Sequence, residues 1–265
     1  MLNREDWLIE LVKRDLNKEL VSHYTKLETA VFDIIPTNKI KFTTQEKNND
    51  PHEYRKDLGT IIIRDEIDSE FTSKGESLLK DNLKVFSTSI SSPQKRKPEH
   101  TSLTNCSFGN VMMWAHYGNN HKGIVLLFEK KDLEKKLREE YSRVFVEEVN
   151  YKDVSNTNYT IKHDSQKRLI DNIYDELEKD KGNRFFSKQN EWSCEKELRW
   201  VILNENKKGS EFLDYKNSLK AVILGDRTEK KYVDVVKKLL EGSNIDLFKL
   251  DWDQFFKKSF KLNKV

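Results

Sequence analysis

Two glutamates separated by one residue lie in the stretch Trp192-Ser193-Cys194-Glu195-Lys196-Glu197-Leu198-Arg199. If a strand begins early here, Glu195, Glu197 and Arg199 share one face, because side chains two apart on a strand point the same way. Paired carboxylates at the lip of a cleft can hold a ribose hydroxyl and stabilise a cationic transition state. A salt-bridged strand edge would use the same residues. An earlier stretch, Ser22-His23-Tyr24-Thr25, offers an imidazole on a short strand, able to hydrogen-bond a ribose hydroxyl or a phosphate. His23 and Thr25 then share one face and Tyr24 takes the other. Read alone, His23 is as well explained as a core histidine with its hydrogen bonds satisfied. A third stretch, Phe86-Ser87-Thr88-Ser89-Ile90, places Ser87 and Ser89 on one face and Thr88 opposite. Small hydroxyls suit a close ligand face and equally an ordinary edge strand.

The stretch Met113-Trp114-Ala115-His116-Tyr117-Gly118-Asn119-Asn120-His121-Lys122-Gly123 is dense in aromatic and hydrogen-bonding groups. His116 and His121 could bind a metal with His52 or Glu53 as third ligand, but no tight His-x-x-x-His spacing supports this. The plainer reading packs Trp114 and Tyr117 into the core and lets the histidines orient the loop. Cys194 has no sequence neighbour that argues for a lowered thiol pKa, which weakens a Cys-His hydrolase.

The elements needed to position these groups follow from periodicity. Apolar residues recur at helical spacing over 4–20 and 26–35, the second run stopping at Pro36. Helices are also expected at 65–80, 111–117, 130–140, 161–180 and 227–240. Strands are expected at 21–25, 39–42, 83–89, 123–128, 144–151, 198–203, 219–224 and 245–250. The all-apolar run Gly123–Phe128 reads as a buried strand. Residues 91–105 and 182–193 read as loops, and Lys95, Arg96 and Lys97 in the first could steer a nucleic acid or simply be solvated. Trp252, Phe255, Phe256 and Phe260 make the C-terminal tail a packed one. Strands and helices mix without a regular βαβ rhythm, so the expectation is α+β in a single domain spanning 1–265.

The bulk properties narrow the class. The 265 residues carry 48 basic and 45 acidic groups, a net charge of +3 that does not announce nucleic-acid binding. No apolar run is long enough to span a membrane and the N-terminus has no signal core, so a cytoplasmic protein is expected. Cys106 and Cys194, the only cysteines, form no Cys-x-x-Cys pair.

Taken in order, these motifs resemble the bacterial domain-of-unknown-function family 2971. The resemblance rests on His23-Tyr24-Thr25, Asn49-Asp50-Pro51 with Glu53, Phe86-Ser87, Met113 to Tyr117 with His121 to Gly123, and Trp192 to Arg199. It covers about residues 20–225, leaving an N-terminal helix (1–20) and a C-terminal segment (226–265) peripheral. The motif order is in turn similar to that of ADP-ribosyltransferases, which implies a split mixed or antiparallel sheet flanked by helices, with NAD as substrate. By that resemblance His23, Tyr24, Thr25, Ser87, Thr88, Ser89, Trp114, His116 and Tyr117 bind NAD, with Tyr24, Tyr117 or Trp114 stacking on nicotinamide. Glu197 or Glu195 would stabilise the ribose cation, the other would deprotonate the acceptor, and the family pattern favours Glu197 as essential. A nucleic-acid or protein acceptor, a role in a toxin–antitoxin or phage-defence system, and a neutralising partner protein are further implications. A metal-dependent nuclease or other hydrolase, and a non-enzymatic interaction module, are the alternatives.

Overall fold

The computed structural model describes residues 6–44, 60–63, 66–67, 69–92, 102–152, 160–162, 164–179, 185–205, 209–253 and 259–265. Helix α1 (Asp6–Leu16) turns Trp7, Leu8, Leu11, Val12 and Leu16 onto one core cluster, the stripe expected of an amphipathic helix. Strand β1 (Leu20–Thr25) leads into α2 (Leu27–Thr29), which widens into a π-helix over Ala30–Ile34 and stops short of Pro36. Then come β2 (Lys39–Thr44), β3 (Thr60–Ile63), β4 (Glu66–Ile67), α3 (Ser69–Asn82) and β5 (Leu83–Ser89). Two single 3-10 turns precede α4 (Val111–His116), whose first turn is capped by the Asn110 side chain.

The second half runs β6 (Ile124–Glu129), α5 (Lys130–Glu140), β7 (Val144–Glu148), β8 (Asn150–Tyr151), β9 (Thr160–Lys162) and α6 (Leu169–Lys179). It continues with β10 (Ser187–Lys188), a 3-10 helix over Asn190–Glu195, β11 (Glu197–Leu203) and β12 (Glu211–Asp214). Strand β13 (Leu219–Leu224), helix α7 (Lys230–Leu239), β14 (Asp246–Asp253) and β15 (Ser259–Lys264) close the chain.

Ten strands form one mixed sheet in the order β12-β2-β5-β1-β6-β13-β14-β15, with β11 paired to β5 and β7 paired to β11. All its ladders are antiparallel except β13 with β14. The arrangement is α+β, as the mixed periodicities predict. Strand β6 is buried on both faces along Ile124–Phe128, which explains its unbroken apolar run. Val21, Phe86, Leu126, Leu198 and Trp200 fill the core on one face of the sheet, and Tyr24, Trp114, Val125 and Leu127 fill a second core on the other.

Several expected boundaries move. The helix expected over 161–180 begins only at Leu169, after the short strand β9. The expected loop at 182–193 contains β10 and most of a 3-10 helix. The tail supplies β15, and its Phe260 is buried as expected of a packed tail. Asn49 to Glu53 and Lys95 to Lys97 lie outside the described residues. No helix among the described residues is long and apolar enough to cross a membrane.

Candidate functional site

Strand β5 is where the sheet divides. One of its edges pairs with β11 from end to end, Leu83 against Leu203 through Ser89 against Glu197. The other edge is shared: Lys84 and Val85 pair with Thr44 and Thr43 of β2, while Ser89 pairs with Ser22 of β1. Phe86, Ser87 and Thr88 are left between the two parting strands. Continued in register, both Tyr24 and Lys41 would have come opposite Ser87; instead a cavity of about 890 Å³ opens there.

A carbonyl left without its ladder bond at such a fork is open to a side-chain donor. His23 supplies it, its Nδ1 lying 3.0 Å from the Ser87 carbonyl oxygen. A carbonyl only accepts, so Nδ1 carries the proton and Nε2 keeps its lone pair. Burial lowers the imidazole pKa more than this bond raises it, so the ring is held neutral. Phe86 packs under it, with ring centroids 4.6 Å apart.

The strand registers put Ser22, Tyr24, Ser87, Ser89, Glu197 and Arg199 on one face, and His23, Phe86, Thr88 and Leu198 on the other. The carboxylates thus face Tyr24's side of the sheet rather than His23's. The cavity nevertheless touches both, because it passes through the fork. Ser87 joins the two sides: its carbonyl takes the His23 proton and its hydroxyl donates to Glu197 Oε1 at 2.6 Å.

Glu197 opens β11 and is buried. Arg199 grips it with two parallel bonds, Nε to Oε1 at 2.7 Å and an Nη to Oε2 at 2.8 Å. Burial alone would raise its pKa, but Arg199, Lys188 and the Ser87 hydroxyl together bring it down to about 2. Glu195 has the opposite balance. Tyr117 donates to its Oε1 at 2.5 Å and Lys188 Nζ to its Oε2 at 2.7 Å, yet burial outweighs both and its pKa stays raised. Lys188 also lies 3.6 Å from Glu197 Oε2 and 4.8 Å from the Trp192 ring centroid. Lys188, Glu195, Glu197 and Arg199 are all nearly inaccessible, and their formal charges cancel.

Glu195 and Glu197 are not alternate residues of one strand, as their spacing suggests. Glu195 ends the 3-10 helix, and Lys196 between them takes the left-handed conformation with φ 46°. That kink lets the Lys196 carbonyl accept from Ile90 N at 2.9 Å while both carboxylates still reach the cavity. A second left-handed stretch, Asn119 to His121 with φ of 47°, 52° and 68°, turns the chain back after α4. It closes through Gly123 N to the Gly118 carbonyl at 2.8 Å, fixing the exit of the segment that carries Tyr117.

Of the residues singled out in the sequence, the cavity brings together His23, Tyr24, Ser87, Thr88, Ser89, Tyr117, Glu195 and Glu197. Two of these have their polar groups engaged elsewhere. The Tyr24 hydroxyl donates to the Ser107 carbonyl at 2.6 Å and accepts from Asn110 N at 3.2 Å. Thr88 Oγ1 donates to the Leu198 carbonyl at 3.1 Å and accepts from Trp200 Nε1 at 2.9 Å. Ser89 Oγ is buried and has no hydrogen-bond partner among the described residues.

Thr25, Trp114 and His116 are not brought to the cavity. Trp114 is wholly buried, edge-on to Tyr24 and bonded through Nε1 to the Phe108 carbonyl at 2.8 Å, so it has no face left to stack on nicotinamide. His116 is exposed at the end of α4, and His121 instead meets Asp226, with Nδ1 3.3 Å from Oδ1. Among the described residues no three His, Cys, Asp or Glu side chains group as metal ligands, and His52 and Glu53 fall outside them. Sequence reasoning missed Lys188 altogether. Its one signal was position, seven residues before Glu195 in a stretch that reads as loop.

A family model described as "Protein of unknown function (DUF2971)" matches residues 113–200. The chain resembles that family over the span that contains Tyr117, Lys188, Glu195, Glu197 and Arg199. No curated protein and no solved structure matches the chain.

Proposed function

We propose that the fork cavity is the active site of an NAD-consuming ADP-ribosyltransferase. The observation that carries this reading is the pair Glu195 and Glu197 on one cavity wall, with environments that push their pKa values apart. Such a split assigns different roles to two carboxylates. Glu197, ionised and clamped by Arg199, is a fixed anion that needs no reorganisation as positive charge grows on the ribose. Glu195, with its raised pKa, is the better proton acceptor.

In the reaction, the glycosidic bond to nicotinamide breaks and its electron pair leaves with the ring nitrogen. A lone pair of the acceptor forms the new bond to the same ribose carbon, and the acceptor proton passes to Glu195. The neutral His23 has only Nε2 to offer, as an acceptor, which suits a ribose hydroxyl rather than a phosphate. Ser89 Oγ is a ready partner for a second hydroxyl or for the carboxamide. The acceptor is a nucleic acid or a protein. Activity of this kind inside the cytoplasm fits a toxin–antitoxin or phage-defence effector held in check by a neutralising protein.

The test is nicotinamide release from NAD, with nucleic acid and with bacterial lysate supplied as acceptors. Turnover should fall at least about a hundredfold in Glu195→Gln, the loss expected for a removed general base. Intact wild-type protein that neither binds nor consumes NAD with any of these acceptors would overturn the reading.

A further inference from the structure

The backbone that carries Glu195 belongs to no strand. Glu195 ends the 3-10 helix over Asn190–Glu195, one residue before the left-handed Lys196. The carbonyls on either side of it are anchored differently. That of Lys196 accepts from the backbone N–H of Ile90 at 2.9 Å, one step beyond the β5–β11 ladder. That of Cys194 accepts from a side chain, Asn110 Nδ2, at 2.5 Å. Asn110 stands where three parts of the cavity wall meet. Its Oδ1 caps α4, accepting from Met112 N at 3.1 Å and Met113 N at 3.3 Å. Its own N–H donates to the Tyr24 hydroxyl of β1 at 3.2 Å. The amide has one workable orientation, because the reverse would set its NH2 against two N–H donors and its oxygen against a carbonyl. Tyr117 follows α4 at the far end, seven positions from Asn110. That is roughly two helical turns, so the two lie on about the same side of α4. Both reach the same short segment: Asn110 holds the Cys194 carbonyl, and Tyr117 donates to Glu195 Oε1 at 2.5 Å.

We infer that Asn110 is a positioning residue for Glu195, which it fixes through the Cys194 carbonyl within reach of the Tyr117 hydroxyl. The inference rests on the transferase reading only for the role of Glu195 as base; the two-point clamp stands on the hydrogen bonds alone. A side chain that did no more than cap α4 could be replaced by serine or threonine, both good N-caps. Their hydroxyl, one bond shorter than the amide, would keep the cap and give up the Cys194 carbonyl.

The experiment follows the Glu195 carboxyl by carboxyl-carbon NMR across pH in the full chain, its signal assigned by its loss in Glu195→Gln. In Asn110→Ser the Tyr117 hydroxyl is no longer held against Glu195. A donor that lowers the Glu195 pKa is then lost, so Glu195 should titrate at higher pH than in wild type. Tyr117→Phe should shift it the same way. The double variant should shift it no further than either single change, since both remove one bond. Asn110→Thr takes the place of Asn110→Ser if the serine variant does not melt cooperatively. In turnover, kcat should fall about tenfold or more at unchanged KM for NAD, the mark of a misplaced group rather than lost binding. A wild-type Glu195 titration in the capping variant, or shifts that add in the double variant, overturns the inference. The two proposals fail separately. Coupled titrations in a protein that never consumes NAD sink the transferase alone. NAD turnover that needs Glu195, with titrations that are not coupled, sinks the positioning role alone.

Discussion

Asp15 of α1 and Glu197 of β11 are both buried carboxylates, and they end in opposite states. Glu197 has Arg199 and Lys188 beside it and its pKa falls to about 2. Asp15, at the end of α1, is wholly buried and has no cationic partner among the described residues. It is held only by the backbone N–H of Ser107 at 2.8 Å, by the Ser107 hydroxyl and by Cys106, and burial lifts its pKa to about 7. Hydrogen bonds from neutral donors lower a buried acid's pKa, but at Asp15 they do not offset desolvation; Arg199 and Lys188 together do so at Glu197, while Lys188 alone does not at Glu195. One consequence is that the Glu197 side of the sheet stays charged and polar at any physiological pH. The Asp15 side can lose its charge, and its neighbours Ser22, Ser107 and Tyr24 form one hydrogen-bonded network with it.

The largest expected effect comes from taking the cation away. Arg199→Met leaves Glu197 buried with Lys188 as its one nearby cation and the Phe185 carbonyl without its Arg199 donor. Breaking a buried pair from one side costs about 3–5 kcal/mol. Urea unfolding at pH 7 should register that loss, and Arg199→Lys should recover only part of it, because an ammonium cannot make the bidentate contact. A loss below about 1 kcal/mol would mean that the cations do not decide the state of Glu197, and the comparison with Asp15 would collapse.

Next in size is a pH effect of opposite sign at the two acids. For Asp15 the folded state binds its proton more tightly than the unfolded chain does. Stability therefore declines as pH rises from about 4 to about 7 and is level above that, by an amount on the order of 4 kcal/mol at most. Glu197 runs the other way: its contribution is present above the ordinary carboxylate pKa and is lost as pH falls toward about 2. Unfolding free energies of wild type and Asp15→Asn, measured from pH 4 to 8, should diverge steadily up to about pH 7. The variant should gain on wild type up to that pH and keep the difference above it. Parallel curves would remove Asp15 as the titrating group.

Much of this arrangement is readable in the sequence, and the unread part has definite causes. Alternation places His23 and Ser87 on strands, and they are there; Glu197 is on one because β11 begins one residue ahead of the expected 198–203. What alternation cannot give is phase between strands: the pairing of Ser22 with Ser89 sets the carboxylates on Tyr24's face, and that register depends on β5 accepting three partners. The spacing of Glu195 and Glu197 suggests one strand because nothing about a lysine announces the left-handed turn at Lys196. Lys188 carries a residue type that is rarely buried, so only the fold reveals it between two glutamates. The Asp15–Ser107 contact joins residues 92 positions apart and leaves no local trace. Trp114 illustrates the reverse error: its motif company suggests a ligand contact, and its place is the core.

The smallest expected effect tests whether a neutral donor on the carboxylate wall behaves like those around Asp15. Tyr117→Phe removes one hydroxyl from Glu195 and leaves Lys188 in place. A single uncharged hydrogen bond contributes about 1 kcal/mol, so the loss should be a third or less of that in Arg199→Met. The same change takes away one of the groups that lower the Glu195 pKa, so that pKa should rise further. If Glu195 is the base, the acid limb of the turnover profile should move to higher pH in Tyr117→Phe while the fold is little disturbed. A destabilisation as large as that of Arg199→Met would mean that Tyr117 and Arg199 act as equals. The division between charged and neutral partners drawn from Asp15 and Glu197 would then not extend along the wall.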